Sequence, residues 1–274
     1  MLHCGHYRLS LERPLIMGIV NVTPDSFSDG GAYLDAKAAI AHAHRLVEEG
    51  ADILDIGGES TRPGAAPVSA EQELVRVVPV LRGLRNIGVP ISVDTLKTEV
   101  MRAALDEGAT IINDITALST PGAMEVVAAS DAAVCLMHMQ GEPRTMQSEP
   151  HYDDVVAEVK AYLVDRMGAV LAHGIARERV ILDPGFGFGK RLEHNLVLLR
   201  ELEQITALGL PVLSGWSRKS SLGLITGKPA NDRLAASLAA AILSVRHGAN
   251  IVRVHDVAAT RDALAVVQAV EAAN

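Results

Sequence analysis

Pro14-Leu15-Ile16-Met17-Gly18-Ile19-Val20 runs straight into Asn21, Thr23 and Asp25, and Val89-Pro90-Ile91-Ser92-Val93 runs straight into Asp94. The same event recurs along the chain. Residues 51–56 lead to Glu59, Thr61 and Arg62, residues 110–112 to Asn113 and Asp114, and residues 132–137 to His138. Residues 180–182 lead to Asp183, residues 210–213 to Ser217, Arg218 and Lys219, and residues 250–252 to Arg253 and His255. Short apolar runs of this kind read as buried strands, and strands that all end in polar chemistry describe a (β/α)8 barrel with its site at the C-terminal rim.

The intervening stretches have helical length and spacing. Residues 35–49 place Ala39, Ile40, Ala43, Leu46 and Val47 on one face, with Asp35 as expected N-cap and Gly50 as the stop. Ser69 and Gln72 fit a capping box opening a helix to about Leu84. Further helices are expected over 95–106, 121–129, 152–173, 192–208, 228–247 and 256–273. Alternating strands and helices argue βαβ units of about 34 residues each, the size of one such step. The reading is a single α/β barrel domain over 1–274, with residues 1–13 as a short N-terminal cap or hairpin. Long strand-end loops at 21–34, 59–70 and 139–151 are rich in Gly, Pro, Ser and Asp and are expected to be mobile. A doubly wound sheet fits less well, because no strand runs into G-x-G-x-x-G.

Of the 274 residues, 49% are hydrophobic and 21% charged, and the net charge is −8. That balance argues against a nucleic-acid surface. Against an acidic background, Arg62, Lys190, Arg218, Lys219, Arg253 and His255 at strand ends suggest a local site for an anion. The two cysteines, Cys4 and Cys135, are too few for a disulfide framework, and Cys135 reads as a buried small hydrophobe. No apolar stretch approaches the roughly 18–20 residues of a membrane span, and no signal-like segment precedes Glu12 and Arg13. The expectation is a soluble cytoplasmic protein.

Asp183-Pro184-Gly185-Phe186-Gly187-Phe188-Gly189-Lys190 is glycine-rich but is no Walker loop, since Pro184 and Arg191 stand where that motif needs Gly and Ser or Thr. Asp94, Asn113 and Asp183 end three different strands. Two carboxylates and an amide suit hydrogen bonds to a planar, nitrogen-rich heterocycle. They also suit a metal, although His42 and His44 are two apart and cannot share a helix face. Ser217-Arg218-Lys219-Ser220 lies where a strand meets a helix start. Arg253 and His255, two apart on an extended segment, face one side. With Thr61, this is equipment for phosphate or pyrophosphate. His138 is ambiguous: a lone strand-end His is often a hydrogen-bonded structural group, and it is not read as catalytic.

These stretches resemble dihydropteroate synthases from about residue 14 to the C-terminus. The motifs are Met17 to Gly31 (MGIVNVTPDSFSDGG), Gly57 to Gly64 (GGESTRPG), Ser92-Val93-Asp94-Thr95, Asn113-Asp114-Ile115, the glycine loop 183–190, Ser217-Arg218-Lys219-Ser220 and Arg253-Val254-His255, in the family's order. The resemblance implies a TIM barrel that condenses 6-hydroxymethyl-7,8-dihydropterin diphosphate with 4-aminobenzoate in folate biosynthesis, giving 7,8-dihydropteroate and pyrophosphate. It implies that Asp94, Asn113, Asp183 and Lys219 hold the pterin and that Thr61, Arg253 and His255 bind the diphosphate. Asn21 would coordinate the accompanying Mg²⁺. Phe188, Lys219 and Ser220, with Phe27, Arg62 and Pro63 from the loops, would form the aminobenzoate site, where sulfonamides compete. Asp94, Lys219, Arg253 and His255 would carry the catalysis, and the family works as a homodimer. The alternatives are a corrinoid methyltransferase fed by methyltetrahydrofolate, which has no need of the diphosphate residues, and a catalytically silent pterin-binding paralogue.

Overall fold

Side chains alternate along each strand, and that alternation decides what fills this molecule. On β3 (Leu15–Asn21), Ile16 and Val20 join an outer layer shared with helices, while Leu15 and Met17 join an inner cluster. On β4 (Ile53–Gly57), Leu54 and Ile56 face outward and Ile53 inward. The same parity holds on β10 (Ile251–Val254), where Val252 and Val254 face out and Ile251 in. Inner positions nearer the strand ends carry Asp55, Asp94 and Arg253 instead of hydrocarbon.

The computed structural model describes residues 1–22, 31–60, 67–142 and 145–273, and of residues 31–35 the backbone only. The eight strands of the main sheet are parallel. Between β4 and β10 in sequence lie β5 (Ile91–Asp94), β6 (Ile111–Asp114), β7 (Ala133–Met137), β8 (Val180–Asp183) and β9 (Leu213–Ser214). The spatial order is β8-β7-β6-β5-β4-β3-β10-β9. A parallel bridge between Leu182 and Val212 joins the two ends of that order, and the Leu182 N–H donates to Pro211 O at 2.9 Å. The sheet therefore closes into the expected barrel. An antiparallel hairpin, β1 (Leu2–Cys4) with β2 (Tyr7–Leu9), packs Leu2 and Cys4 against Met17, Ile53, Cys135 and Ile251. It caps the barrel interior at the end away from the polar strand termini. Burial pushes the Cys4 thiol up to about 12, so it behaves as a small apolar side chain.

Most helices match their expected spans, and the differences have local causes. Asp35 falls inside α1 (Gly31–Glu48), because nothing among Ala32, Tyr33 and Leu34 stops the helix from starting earlier. Gly50, at φ +101°, ends it. The capping box is present at α2 (Ala70–Leu84): Ser69 Oγ accepts from Gln72 N, and Gln72 Oε1 accepts from Ser69 N. The third helix, α3 (Thr98–Asp106), starts three residues after Thr95, whose hydroxyl instead accepts from Lys97 N. The short α4 (Ala123–Ala128) follows as expected. In α5 (Val155–Ala172) the cap is Asp154, accepting from Val156 and Ala157. The stretch expected as one helix over 192–208 is two, α6 (Leu192–Arg200) and α7 (Glu203–Thr206). A separate short helix α8 (Ser220–Thr226) ends at the left-handed Gly227, ahead of α9 (Leu234–Arg246) and α10 (Val257–Glu271).

Candidate active site

A cavity of about 560 Å³ opens at the C-terminal rim, within the range that takes small organic ligands. Asp94 and Asp183, which end β5 and β8, and Asn113, one residue before the end of β6, line it. Lys219 after β9, Arg253 near the end of β10 and His255 just past that strand line the cavity too, with Arg218 and Arg233. Asn21, Phe188 and Ser220 also line it. The sequence-predicted residues that fall among the described ones thus meet in one place. Phe27, Thr61, Arg62 and Pro63 lie outside the described residues.

The floor is an ionic network. The Arg253 guanidinium donates through Nε to Asp55 Oδ2 at 2.6 Å and through Nη2 to Asp94 Oδ2 at 2.9 Å. Asn113 Nδ2 donates to the same Asp55 oxygen at 3.2 Å. Burial pulls the Arg253 pKa down, but the two carboxylates outweigh it and hold the guanidinium above its usual range. Burial raises the Asp94 carboxyl, Arg253 opposes that shift, and Asp55, Glu73 and Asp114 add to it. Burial likewise raises Asp183, against the pull of Lys219, the Gly185 N–H, Lys190 and Arg253. Lys219 is drawn down to about 8 by burial, with Asp183 opposing. Its ammonium donates to Phe186 O and stands 4.6 Å from the Phe188 ring centroid, a cation–π distance. His255 Nδ1 lies 3.0 Å from Ser217 Oγ, which also accepts from the His255 backbone N–H. Arg218, with φ +59°, forks onto Asp256.

The glycine loop 185–189 follows β8 and is held from below. Asp183 Oδ1 accepts from Gly185 N at 2.7 Å. Asn195 Oδ1 accepts from Gly187 N, and the Tyr152 hydroxyl donates to Gly189 O. Lys190 corrects the expectation of an anion-binding cation. It is buried, and its amine points inward to His138 Nδ1 at 2.9 Å, Gly185 O at 2.9 Å and Phe188 O at 3.1 Å. Burial draws it down to about 7, and burial beside Lys190 pushes His138 down to about 3. His138 is thus a structural acceptor, as its sequence setting suggested. A Cβ on Gly185 would stand 1.9 Å from the His138 carbonyl oxygen, at a backbone φ of +68°. Gly185→Ala is therefore expected to lose about 1–3 kcal/mol from the left-handed backbone alone, plus the cost of moving β7 aside. A denaturant titration checks this, and wild-type stability in the variant would remove the account.

Comparison with known proteins bears on what such a cavity does. The model of the family described as "Pterin binding enzyme" matches residues 17–255. The dihydropteroate synthase of Neisseria meningitidis serogroup B is 56% identical over 272 residues, covering 97% of this chain and 95% of that protein. The Escherichia coli K12 dihydropteroate synthase is 52% identical, covering 95% and 93%. The chain belongs to the dihydropteroate synthase family. Among solved dihydropteroate synthases, that of Xanthomonas albilineans with 7,8-dihydropteroate aligns at TM-score 0.87 and 49% identity, over 97% of this chain and 96% of that one. That of Yersinia pestis with a sulfonamide drug aligns at TM-score 0.94 and 46% identity, over 99% of both. The barrel of this chain is the dihydropteroate synthase barrel.

Two features of this dihydropteroate synthase site were missed in sequence. Asp55 sits inside an apolar run whose neighbours read as ordinary core. Its one signal was strand parity, two residues before Gly57 and on the inward face. The other is Lys97, whose ammonium lies 2.5 Å from both Glu59 Oε2 and Glu73 Oε2. Burial pulls Lys97 down, but these two partners outweigh it and hold the ammonium above its usual range. Glu59 Oε1 also accepts from Val68 N at 3.0 Å, so one carboxylate ties Val68 to Lys97 in the β5–α3 connection. Nothing local marks Glu73, a wholly buried acid on the inner face of α2.

Proposed function

We propose that this chain joins 6-hydroxymethyl-7,8-dihydropterin diphosphate to 4-aminobenzoate, releasing pyrophosphate and forming 7,8-dihydropteroate for folate biosynthesis. The observation that carries the reading is one cavity lined both by an acid–amide set, Asp94, Asn113 and Asp183, and by a cationic set, Lys219, Arg253 and His255. A corrinoid methyltransferase would leave Arg253 and His255 of the cationic set without a diphosphate to bind. The relatives at 52–56% identity named dihydropteroate synthase support the same reaction. So does the Xanthomonas enzyme solved with 4-aminobenzoic acid, 54% identical at TM-score 0.91.

In this reading Asp94, Asn113, Asp183 and Lys219 grip the pterin edge. The exocyclic C–O bond to the diphosphate breaks, the arylamine nitrogen bonds to that carbon, and the nitrogen loses a proton. The dihydropterin ring is electron-rich and spreads the positive charge, so the path is dissociative. Asp94 supplies negative charge beside that cation, while Arg253 and His255 hold the departing anion. Ser220, at the start of α8, and Phe188 would receive the aminobenzoate, completed by Phe27, Arg62 and Pro63. An arylamine is a weak nucleophile, and positioning does more for it than a strong base.

Mg²⁺ fits this site as a companion of the substrate. Asn21, at the end of β3, is a neutral oxygen donor lining the cavity, and among the described residues no group of three His, Cys, Asp or Glu side chains forms a metal cage. Bound Mg²⁺ would neutralise charge on the diphosphate, Asn21 supplying the protein ligand and Thr61 and Arg253 meeting the phosphate oxygens. We place the enzyme in the cytoplasm; among the described residues no helix is long and apolar enough to cross a membrane. We read it as a homodimer. The apolar side chains left exposed on α8 and α9, Leu224, Ile225, Leu234 and Leu243, are the kind that a second copy would cover.

The test is turnover. Pyrophosphate release is expected only with both substrates and Mg²⁺ present, with 7,8-dihydropteroate formed in equal amount. Calorimetry on the protein alone should find weak Mg²⁺ binding that strengthens in the presence of the pterin diphosphate. Absence of 7,8-dihydropteroate would remove the assignment, tight Mg²⁺ binding to the free protein would remove the metal's proposed place, and sedimentation as a monomer would remove the dimer.

A further inference from the structure

No step of the reaction above uses Asp55, yet its carboxylate is the junction of the site floor. It lies on β4, in register with Ile19 on β3 and Ser92 on β5, and is wholly buried. Its Oδ2 accepts from Arg253 Nε and from Asn113 Nδ2. Its Oδ1 is buried and has no hydrogen-bond partner in the protein. A buried acid is a poor way to stabilise a barrel interior, where hydrocarbon of the same size does at least as well. Its value must come from what it orients.

We propose that Asp55 is a positioning residue of this reaction, turning the Asn113 amide to present its oxygen to the pterin and anchoring the Arg253 guanidinium beneath the departing diphosphate. The inference rests on the reaction proposed above. A carboxylate only accepts, so the amide group facing Asp55 must be the NH₂ of Asn113, and Oδ1 takes the opposite direction. Asn113 lines the cavity, where its oxygen would accept from ring N–H donors of a pterin. Without Asp55 the amide has two orientations, and one of them sets a donor against a donor.

The two carboxylates that hold Arg253 are not equivalent. Asp55 has no exposed side-chain surface, whereas Asp94 retains 11% and lines the cavity. A ligand that reaches Asp94 can take over or share its hydrogen bonds, but none reaches Asp55. Asp55 is therefore the fixed end of the pair, and Asp94 the end that exchanges partners during binding. Through the Nε bond, Asp55 keeps the guanidinium from following Asp94 or the leaving group.

Two variants separate these tasks. Asp55→Asn keeps an oxygen for Asn113 and Arg253 but drops the charge. It is expected to bind a reduced pterin within about threefold of wild type and to lose about tenfold or more in kcat, as for loss of a charge-assisted bond. Asp55→Ala removes both bonds. It is expected to lose about tenfold in pterin affinity as well, while the KM for aminobenzoate stays within about twofold in both variants. In an Asn113→Ala background, Asp55→Ala is expected to cost no further pterin affinity, because its effect passes through the missing amide. Wild-type kcat and pterin affinity in folded Asp55→Ala would overturn the proposal, as would an equal rise in both KM values, which marks general loosening. If Asp55→Ala does not fold, Asp55→Asn decides: wild-type kcat overturns the proposal. Failure of the unaltered protein to form 7,8-dihydropteroate is a separate result that removes the reaction itself, while the pterin-affinity comparison still tests the role of Asp55 toward Asn113.

Discussion

Asp183→Ala should weaken binding of a reduced pterin by about 10- to 150-fold, the equivalent of about 1.5–3 kcal/mol for one hydrogen bond to a charged group in a buried site. Asp183 ends β8, is buried, and faces the cavity beside Lys219. The same carboxylate also accepts from the Gly185 N–H, so alanine removes a support of the glycine loop together with the proposed ligand contact. Asp183→Asn resolves the two. It can keep an oxygen for Gly185 while setting an NH₂ group where the ligand needs an acceptor. Titration calorimetry should find both variants impaired, and thermal melts should find only the alanine variant destabilised. If both bind pterin as wild type does, Asp183 is a loop cap and has no part in ligand recognition.

Arg253→Met should cost more than a lost ligand contact. Removing the guanidinium leaves Asp55 and Asp94 as buried acids with no cation between them, a change of about 3–5 kcal/mol in folding stability. It should also lower turnover by about 10²–10³, the usual scale for removing a preorganised donor at a site of developing negative charge. Urea titration of the free protein measures the first and steady-state kinetics the second. Adding Asp55→Asn to Arg253→Met should recover part of the stability, since one of the two stranded charges is gone, but none of the turnover. Unchanged urea midpoints in the single variant would show that the two carboxylates find another partner. Lysine is no substitute, because one ammonium cannot span Asp55 and Asp94 with the fork that arginine offers.

How much of this was readable in advance follows from the range of each interaction. The barrel was legible because a buried strand and its polar end are local patterns, visible in β5 as Ile91-Ser92-Val93-Asp94. The rim residues Asp94, Asn113 and Asp183 were legible for the same reason. Lys190 was misjudged because sequence gives a charge without a direction. Its position after three glycines suggested an exposed cation, and only the fold turns it toward His138 and the loop carbonyls. Asp55 and Glu73 were illegible because their partners lie far off in sequence. Asp55 meets Arg253 from across 198 residues, and no local pattern records such a pairing. The break between α6 and α7 carries no Pro or Gly, so helical periodicity continued through it.

The ion pair between Arg253 and Asp94 gives the site a counter-ion that cannot diffuse away. A cavity lined by uncancelled carboxylates would collect sodium, magnesium or polyamines from the cell, and every substrate would have to evict them. Here the competitor is tethered, present at one equivalent, and unaffected by the salt outside. Affinity for a ligand at Asp94 is consequently a difference between two partners of the same oxygen, the guanidinium and the incoming N–H. A neutral, flat ligand that shares the carboxylate with Arg253 gains from both. A small free cation must compete with a tethered arginine for Asp94, so it binds there only weakly.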